Sequence, residues 1–389
     1  MKKMKGRLLF TLLLVAALAV LLCCHAVADE TVGFAVTRES VNVRSGAIVK
    51  GLLDPGAAAY RLAANTVIYV FDTHEGNDGQ IWYHITCQHN DDGTLRARQG
   101  WIPSGMASTE GLFENVTAVS AGQDGFLALR ADGTVTGCAR ITGATASFYR
   151  DLEKLSGITS VWAGDGCYAA LDAEGKETVI GTSPNGTGFG GDILLDAFGS
   201  ERTVVKKDGK IYSTNPLTFV YPAEQPDMTK AAALFQRQKS AFFLMADGSV
   251  ACASPESDIS LIMPEGYPDF SLWTNVVSID TVMWHPQDVY FYEVFAAVFA
   301  DGTLRVHPRA VERLTDGWPE VVQVSLASDY IVAVGRDGRA YAAGRSEDIV
   351  KEVSEWTDIA SVSAADKYCV GLKKDGTLVF SGKFDFEKN

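Results

Sequence analysis

The sequence predicts an all-β protein, a seven-bladed β-propeller preceded by a small barrel, and three observations predict it. A turn made of one acidic residue and a glycine recurs seven times between short apolar runs. A large apolar residue stands at a fixed distance ahead of nearly every such turn. The chain is 47% hydrophobic over 389 residues, enough to pack a sizeable core.

The turns are Asp132-Gly133, Glu174-Gly175, Asp208-Gly209, Asp247-Gly248, Asp301-Gly302, Asp337-Gly338 and Asp375-Gly376, at steps of 42, 34, 39, 54, 36 and 38 residues. Asp-Gly between alternating apolar runs is the strongest short-range hairpin signal, and it predicts two-residue type I′ turns with positive φ at both positions. Nineteen residues ahead of the acidic residue stand Phe113, Leu155, Phe189, Met228, Trp318 and Trp356; Trp273 precedes Asp301 by 28. Six residues after each opener comes a further apolar residue: Val119, Val161, Leu195, Leu234, Ile279, Val324 and Val362. One ruler shared by seven units means one supersecondary element repeated. A unit of about 40 residues rich in short strands and Gly turns suits a four-stranded blade. The period-2 patterning and the turn chemistry exclude helical solenoids.

The WD and His-Gly signatures of WD40 repeats are absent. Trp356 to Ala365 followed by Val370 to Gly382, and the stretch Trp318 to Gly344, instead resemble the regulator-of-chromosome-condensation (RCC1-like) repeats of bacterial proteins. The resemblance covers residues 109–389, with the third and fourth units degenerate. It implies a propeller fold and transfers no activity, because function resides in sites rather than in folds.

Residues 29–108 read as a separate small β-rich domain with Gly, Asn and Asp turns. Val41 to Gly46, Val67 to Val70, Trp82 to Ile85 and Gly100 to Ile102 occur in the order seen in bacterial SH3-like (SH3b) domains, which they resemble. Ala47 stands where that family has proline, and an insertion near His89 lengthens one hairpin. The resemblance implies a small barrel that associates with cell-wall peptides.

Residues 1–28 read as a secretory signal peptide. Lys2, Lys3, Lys5 and Arg7 precede an apolar run from Leu8 to Leu22, and Ala26 and Ala28 suit cleavage before Asp29. Fifteen residues make a helix of about 22 Å, short of a bilayer core of about 30 Å, so no stable membrane span is expected. Lipid attachment at Cys23 or Cys24 is disfavoured by the bulky residue ahead of each. The expected location is extracytoplasmic, secreted or held at the cell wall. The cleaved chain carries 30 basic against 48 acidic residues, a balance that repels nucleic acid. Its five cysteines are scattered singly, which argues against a disulfide scaffold or structural zinc.

No nucleophile elbow or metalloprotease helix occurs, and no cofactor or metal is expected. Gly186 to Gly191 matches G-x-G-x-x-G but lacks the strand-to-helix context that phosphate binding needs. Two places carry binding expectations. Trp82, Tyr83 and Trp101 are candidates to line a peptide groove in the barrel, with Trp82 equally suited to its core. The nine extra residues of the fifth unit make room for Trp284, Tyr290 and Tyr292, candidates for an aromatic binding loop or for packing between blades. The sequence therefore points to a non-enzymatic exported binding protein, whose propeller presents a face to a protein or glycan. The alternative is a glycan hydrolase using carboxylates near the central opening.

Overall fold

The computed structural model describes residues 33–49, 51–62, 66–91, 94–108, 113–139, 148–164, 166–181, 189–198, 202–222, 224–236, 240–254, 268–284 and 292–382. The leader predicted over residues 1–28 and Tyr290 lie outside them. No described helix is long and apolar enough to cross a membrane.

Nine strands precede the repeats: β1 (Gly33–Thr37), β2 (Val41–Arg44), β3 (Ala47–Val49), β4 (Leu52–Asp54), β5 (Ala58–Leu62), β6 (Val67–Glu75), β7 (Ile81–Asp91), β8 (Thr94–Pro103) and β9 (Ala107–Ser108). Seven of them form one antiparallel sheet in the order β5-β2-β8-β7-β6-β1-β9, and β3 with β4 makes a separate hairpin. Side chains alternate across a strand, so neighbours in sequence serve opposite faces. Val43, Tyr83, Ile85 and Ile102 share one buried cluster with Ala35, Ile68 and Val70. Trp82 and Trp101 turn to the other side, where Leu53 of β4 packs against both. The Leu53 carbonyl accepts the Asn77 N–H at 2.8 Å, pinning the hairpin over the two indoles.

Seven more antiparallel sheets follow among the described residues, each built from one contiguous stretch. They span 116–139 (unit 1), 158–181 (unit 2), 193–213 (unit 3), 231–254 (unit 4), 276–307 (unit 5), 321–344 (unit 6) and 359–382 (unit 7). Each has its three strands in chain order, and unit 4 gains a fourth, Thr218–Tyr221, from the connection before it. The first strand of each unit lies against the first strand of the next, and that of unit 7 against that of unit 1. The arrangement is that of a propeller, all-β as the repeats predict.

The turns form where expected but differ in kind. The glycines have φ from +78 to +89°, while no acidic turn residue has positive φ. The Gly133 N–H closes back on the Arg130 carbonyl at 3.0 Å, and the Asp132 carboxylate accepts the Thr134 N–H at 2.9 Å. The aspartate thus caps a longer turn ending in a left-handed glycine, and the two-residue type I′ expectation is corrected.

In all seven units the register slips between the first and third residues of the first strand, a β-bulge that re-aims the strand. The residue just ahead of that strand has positive φ at Asn115, Gly157, Asp192, Asn275 and Asp358, all residue types that tolerate it. This register corrects the ruler in unit 3. Ile193 pairs like Val116, which puts Asp196, and not Leu195, level with Val119. The extra residue sits in Gly190-Gly191-Asp192, ahead of the strand.

The two parts of the chain share a core. Val67 and Tyr69 of β6 are buried in a cluster with Phe113 and Phe126 of the unit 1 region and Tyr368, Val370 and Leu378 of unit 7, and Val36 of β1 packs on its edge. Burial, with Glu352 nearby, pushes the Tyr69 phenol up to about 12.

A Cβ at Gly122 would run into the carbonyl of Gly164 across the junction of units 1 and 2. Gly122→Ala should therefore lower unfolding stability by about 1–3 kcal/mol, read as a fall in the urea midpoint.

Candidate binding sites

A cleft of about 810 Å³ opens on the N-terminal sheet, within the size range of small-ligand sites. It is lined by Asn42 and Arg44 of β2, Asp54 at the end of β4, Gly56 of the turn into β5, and Asp78, Gln80 and Trp82 where β6 turns into β7. These groups are ordered by one another. The Arg44 guanidinium donates to the Gly56 carbonyl at 2.9 Å and lies 6.0 Å from the centre of the Trp82 ring. Trp82 Nε1 donates to Asp78 Oδ1 at 3.2 Å, and that carboxylate also accepts the Gln80 N–H at 3.0 Å. The Gln80 bond above all holds Asp78 below the usual carboxylate range, so it stays ionised. The cleft can offer one cation, two carboxylates and an indole edge to a polar ligand.

Of the barrel residues singled out by sequence, Trp82 lines this cleft while remaining only 3% exposed. Tyr83 points into the opposite core. Trp101 is buried beside Leu53 and is stacked by the His84 imidazole at 4.2 Å, with His74 edge-on at 5.4 Å. Sequence reading missed Arg44 and Asp78. Arg44 sits inside the stretch Val41 to Gly46 singled out in the sequence, so strand alternation could have placed it beside Asn42 on the outward face.

In unit 5 the nine extra residues lengthen a hairpin, with strands Val276–Trp284 and Tyr292–Phe299 paired out to Trp284 opposite Tyr292. Trp284 is buried with Val306, Val311 and Leu326, and Tyr292 packs on that cluster half-buried. Both therefore serve packing between units 5 and 6.

A second cavity, of about 190 Å³, lies among the first strands of the sheets. Asp280 is its one lining carboxylate among the described residues. Asp280 Oδ2 accepts from Ser325 Oγ at 3.1 Å and from the Leu326 N–H at 2.8 Å, and Oδ1 from the Thr281 N–H at 2.8 Å. Gln323 is likewise engaged at both ends of its amide by Val362.

Of the stretch Gly186 to Gly191, residues 186–188 lie outside the described residues, and Phe189 to Gly191 face a cation rather than an anion. The Lys206 ammonium donates to the carbonyls of Phe189 and Gly190, each at 2.7 Å, and to that of Gly191. A phosphate cradle needs N–H groups pointing inward; here carbonyls do. Beside it Arg202, fully buried, pairs with Asp196 at 2.7 Å and with Glu177 of unit 2. Arg202 stands six residues before its turn, where units 1 and 2 carry Phe126 and Tyr168. Burial brings it down to about 10 and holds Asp196 well above the usual carboxylate range.

No family model matches the chain, and no curated protein matches it. Solved structures do match. The CRINKLY WD40 ectodomain of the Arabidopsis thaliana receptor kinase ACR4 is 16% identical, with 70% of this chain and 96% of that one covered and a TM-score of 0.44. Prp20p from Saccharomyces cerevisiae, whose structure was described together with its binding to Gsp1p and histones, is 14% identical, with 91% and 92% covered and a TM-score of 0.33. Yeast RCC1 (Prp20) bound to Kap60 is 12% identical, with 82% and 64% covered and a TM-score of 0.27. With scores below 0.5, the fold rests on the sheet topology described above.

Two outcomes follow from these geometries. Burial, the largest influence, lowers His84 from its usual 6.5, and Asp72 opposes this. Below that value the unfolded chain binds the proton more readily, so stability should fall as pH drops through about 6.5, tracked by Trp fluorescence on urea titration; His84→Gln should flatten that slope. Removing the Arg202 guanidinium strands two buried carboxylates, so Arg202→Ala should cost about 3–5 kcal/mol in the same titration.

Proposed function

We propose that the chain is an exported, non-enzymatic binding protein, in which an SH3-like barrel binds cell-wall peptides and a seven-bladed propeller presents a face to a protein or glycan partner. The seven sheets, each packed on the next and the last on the first, support the blade count. The apolar run and the A-x-A stretch at the N-terminus support export.

The cleft carries the peptide reading. Arg44 opposite Asp54 and Asp78, with Trp82 between, matches a short peptide that bears both ammonium and carboxylate groups. A hydrolytic reading gains no support from the same residues. Glycoside cleavage needs one carboxyl raised as an acid beside a second carboxylate. Asp280 spends Oδ2 on unit 6 and Oδ1 on its own strand, and Asp78 is held low rather than raised.

The test is co-sedimentation of the mature protein with purified peptidoglycan. Arg44→Ala and Asp78→Asn should each weaken retention about tenfold, roughly 1.4 kcal/mol, with an unchanged circular dichroism spectrum. Equal retention of both variants would remove the cleft from the interaction, and no retention of the parent protein would remove the wall.

A further inference from the structure

A ring made from one chain has peptide bonds across every junction except one. Its expected place to open is therefore where unit 7 meets unit 1. We infer that in this protein the ring opens first between units 3 and 4, and that the closing junction is the better fastened of the two. This rests on the closed-ring reading above.

Two kinds of fastening recur between units. In the first, the N–H that begins a unit's first strand donates to the turn glycine of the preceding unit. Val116 N donates to the Gly376 carbonyl at 2.9 Å, so unit 7 holds unit 1 as Gly338 of unit 6 holds Ile359 of unit 7, at 2.8 Å. In the second, a side-chain oxygen at the fifth position of the first strand accepts the N–H at the sixth position of the next unit. Ser120 accepts Ala163 at 3.0 Å, Asp280 accepts Leu326 at 2.8 Å, Ser325 accepts Ala364 at 3.0 Å and Ser363 accepts Ala121 at 2.9 Å. These join units 1 to 2, 5 to 6, 6 to 7 and, across the open ends of the chain, 7 to 1.

The closing junction has more besides. The Tyr368 hydroxyl donates to the Gly122 carbonyl at 2.8 Å, and Val67 and Tyr69 of the N-terminal sheet share its apolar cluster. The small domain is thus placed as a clasp over the junction that lacks a covalent link.

Between units 3 and 4 neither fastening forms. The short helical turn Met228–Lys230 takes the Ala231 N–H for its own Met228 carbonyl, so it does not reach Gly209. The fifth position of unit 3 is Ala197, which has no oxygen to offer. Trp162 and Phe235 hold that position in units 2 and 4, but there the glycine bonds from Ile193 and Val276 remain. The junction of units 3 and 4 relies on the apolar packing of Leu234, Ala241 and Phe243 against Ala197 and Val205.

Native-state hydrogen exchange on the mature full-length protein, read by mass spectrometry, tests this. Strands 193–198 and 231–235 should exchange about tenfold faster than 116–122 and 359–365. The double variant Ser363→Ala with Tyr69→Ala should move fast exchange to 116–122 and 359–365. Slower exchange at 193–198 and 231–235 than at the chain-end junction would overturn the inference, as would an unchanged pattern in the double variant. The closed ring itself would fail differently: the Val116 and Ala121 amides, resolved by fragmentation, would then exchange as freely in the parent protein as in the variant.

Discussion

The interaction on which the architecture most depends is one backbone bond, from the first N–H of one sheet to the turn glycine of the sheet before it, formed at every junction but that of units 3 and 4. One repeat unit cannot bury its apolar face alone, so each unit must lean on its neighbours. At each junction where the bond forms, the accepting carbonyl belongs to a turn glycine of positive φ. It also needs the incoming strand to arrive in one register; a bulge marks the start of all seven first strands, and a left-handed residue precedes five of them. Asn115, Asp192, Asn275 and Asp358 are thus as much part of the repeat as the Asp-Gly turn.

Repetition makes departures informative. Asp280 replaces the serine used at three other junctions and serves two acceptor roles at once. Unit 3 carries Arg202 where units 1, 2 and 5 carry Phe126, Tyr168 and Phe295, and its partner Asp196 enters the core at a position held elsewhere by Val, Leu or Ile. Buried ion pairs of this kind contribute little net stability while making each member hard to remove.

The N-terminal domain has two faces with different duties. Tyr83 and Ile85 build its core, Trp82 and Arg44 open to the cleft, and Val67 and Tyr69 belong to the neighbouring ring. It is therefore better described as part of one packed body than as a tethered address tag. The cleft lies on residues away from the shared cluster, so the proposed recognition and the proposed clasp need not compete.

The sequence by itself determined that the chain is all-β, where its turns fall and which residues open each unit, because turn chemistry and period-2 patterning are local properties of the backbone. It named Trp82 in the cleft but missed Arg44 and Asp78, since convergence of residues 34 positions apart leaves no local mark. Only the tertiary structure decided that Trp284 is packing, that Asp196 rather than Leu195 stands level with Val119, and that Val67 and Tyr69 reach units 7 and 1. A one-residue slip in register moves a side chain to the other face of its strand, and the spacing of openers and turns cannot show on which side of a bulge that slip occurs. The seven recurrent turns with which the reading began thus foretold the units, while the bonds between units chose how the ring is held.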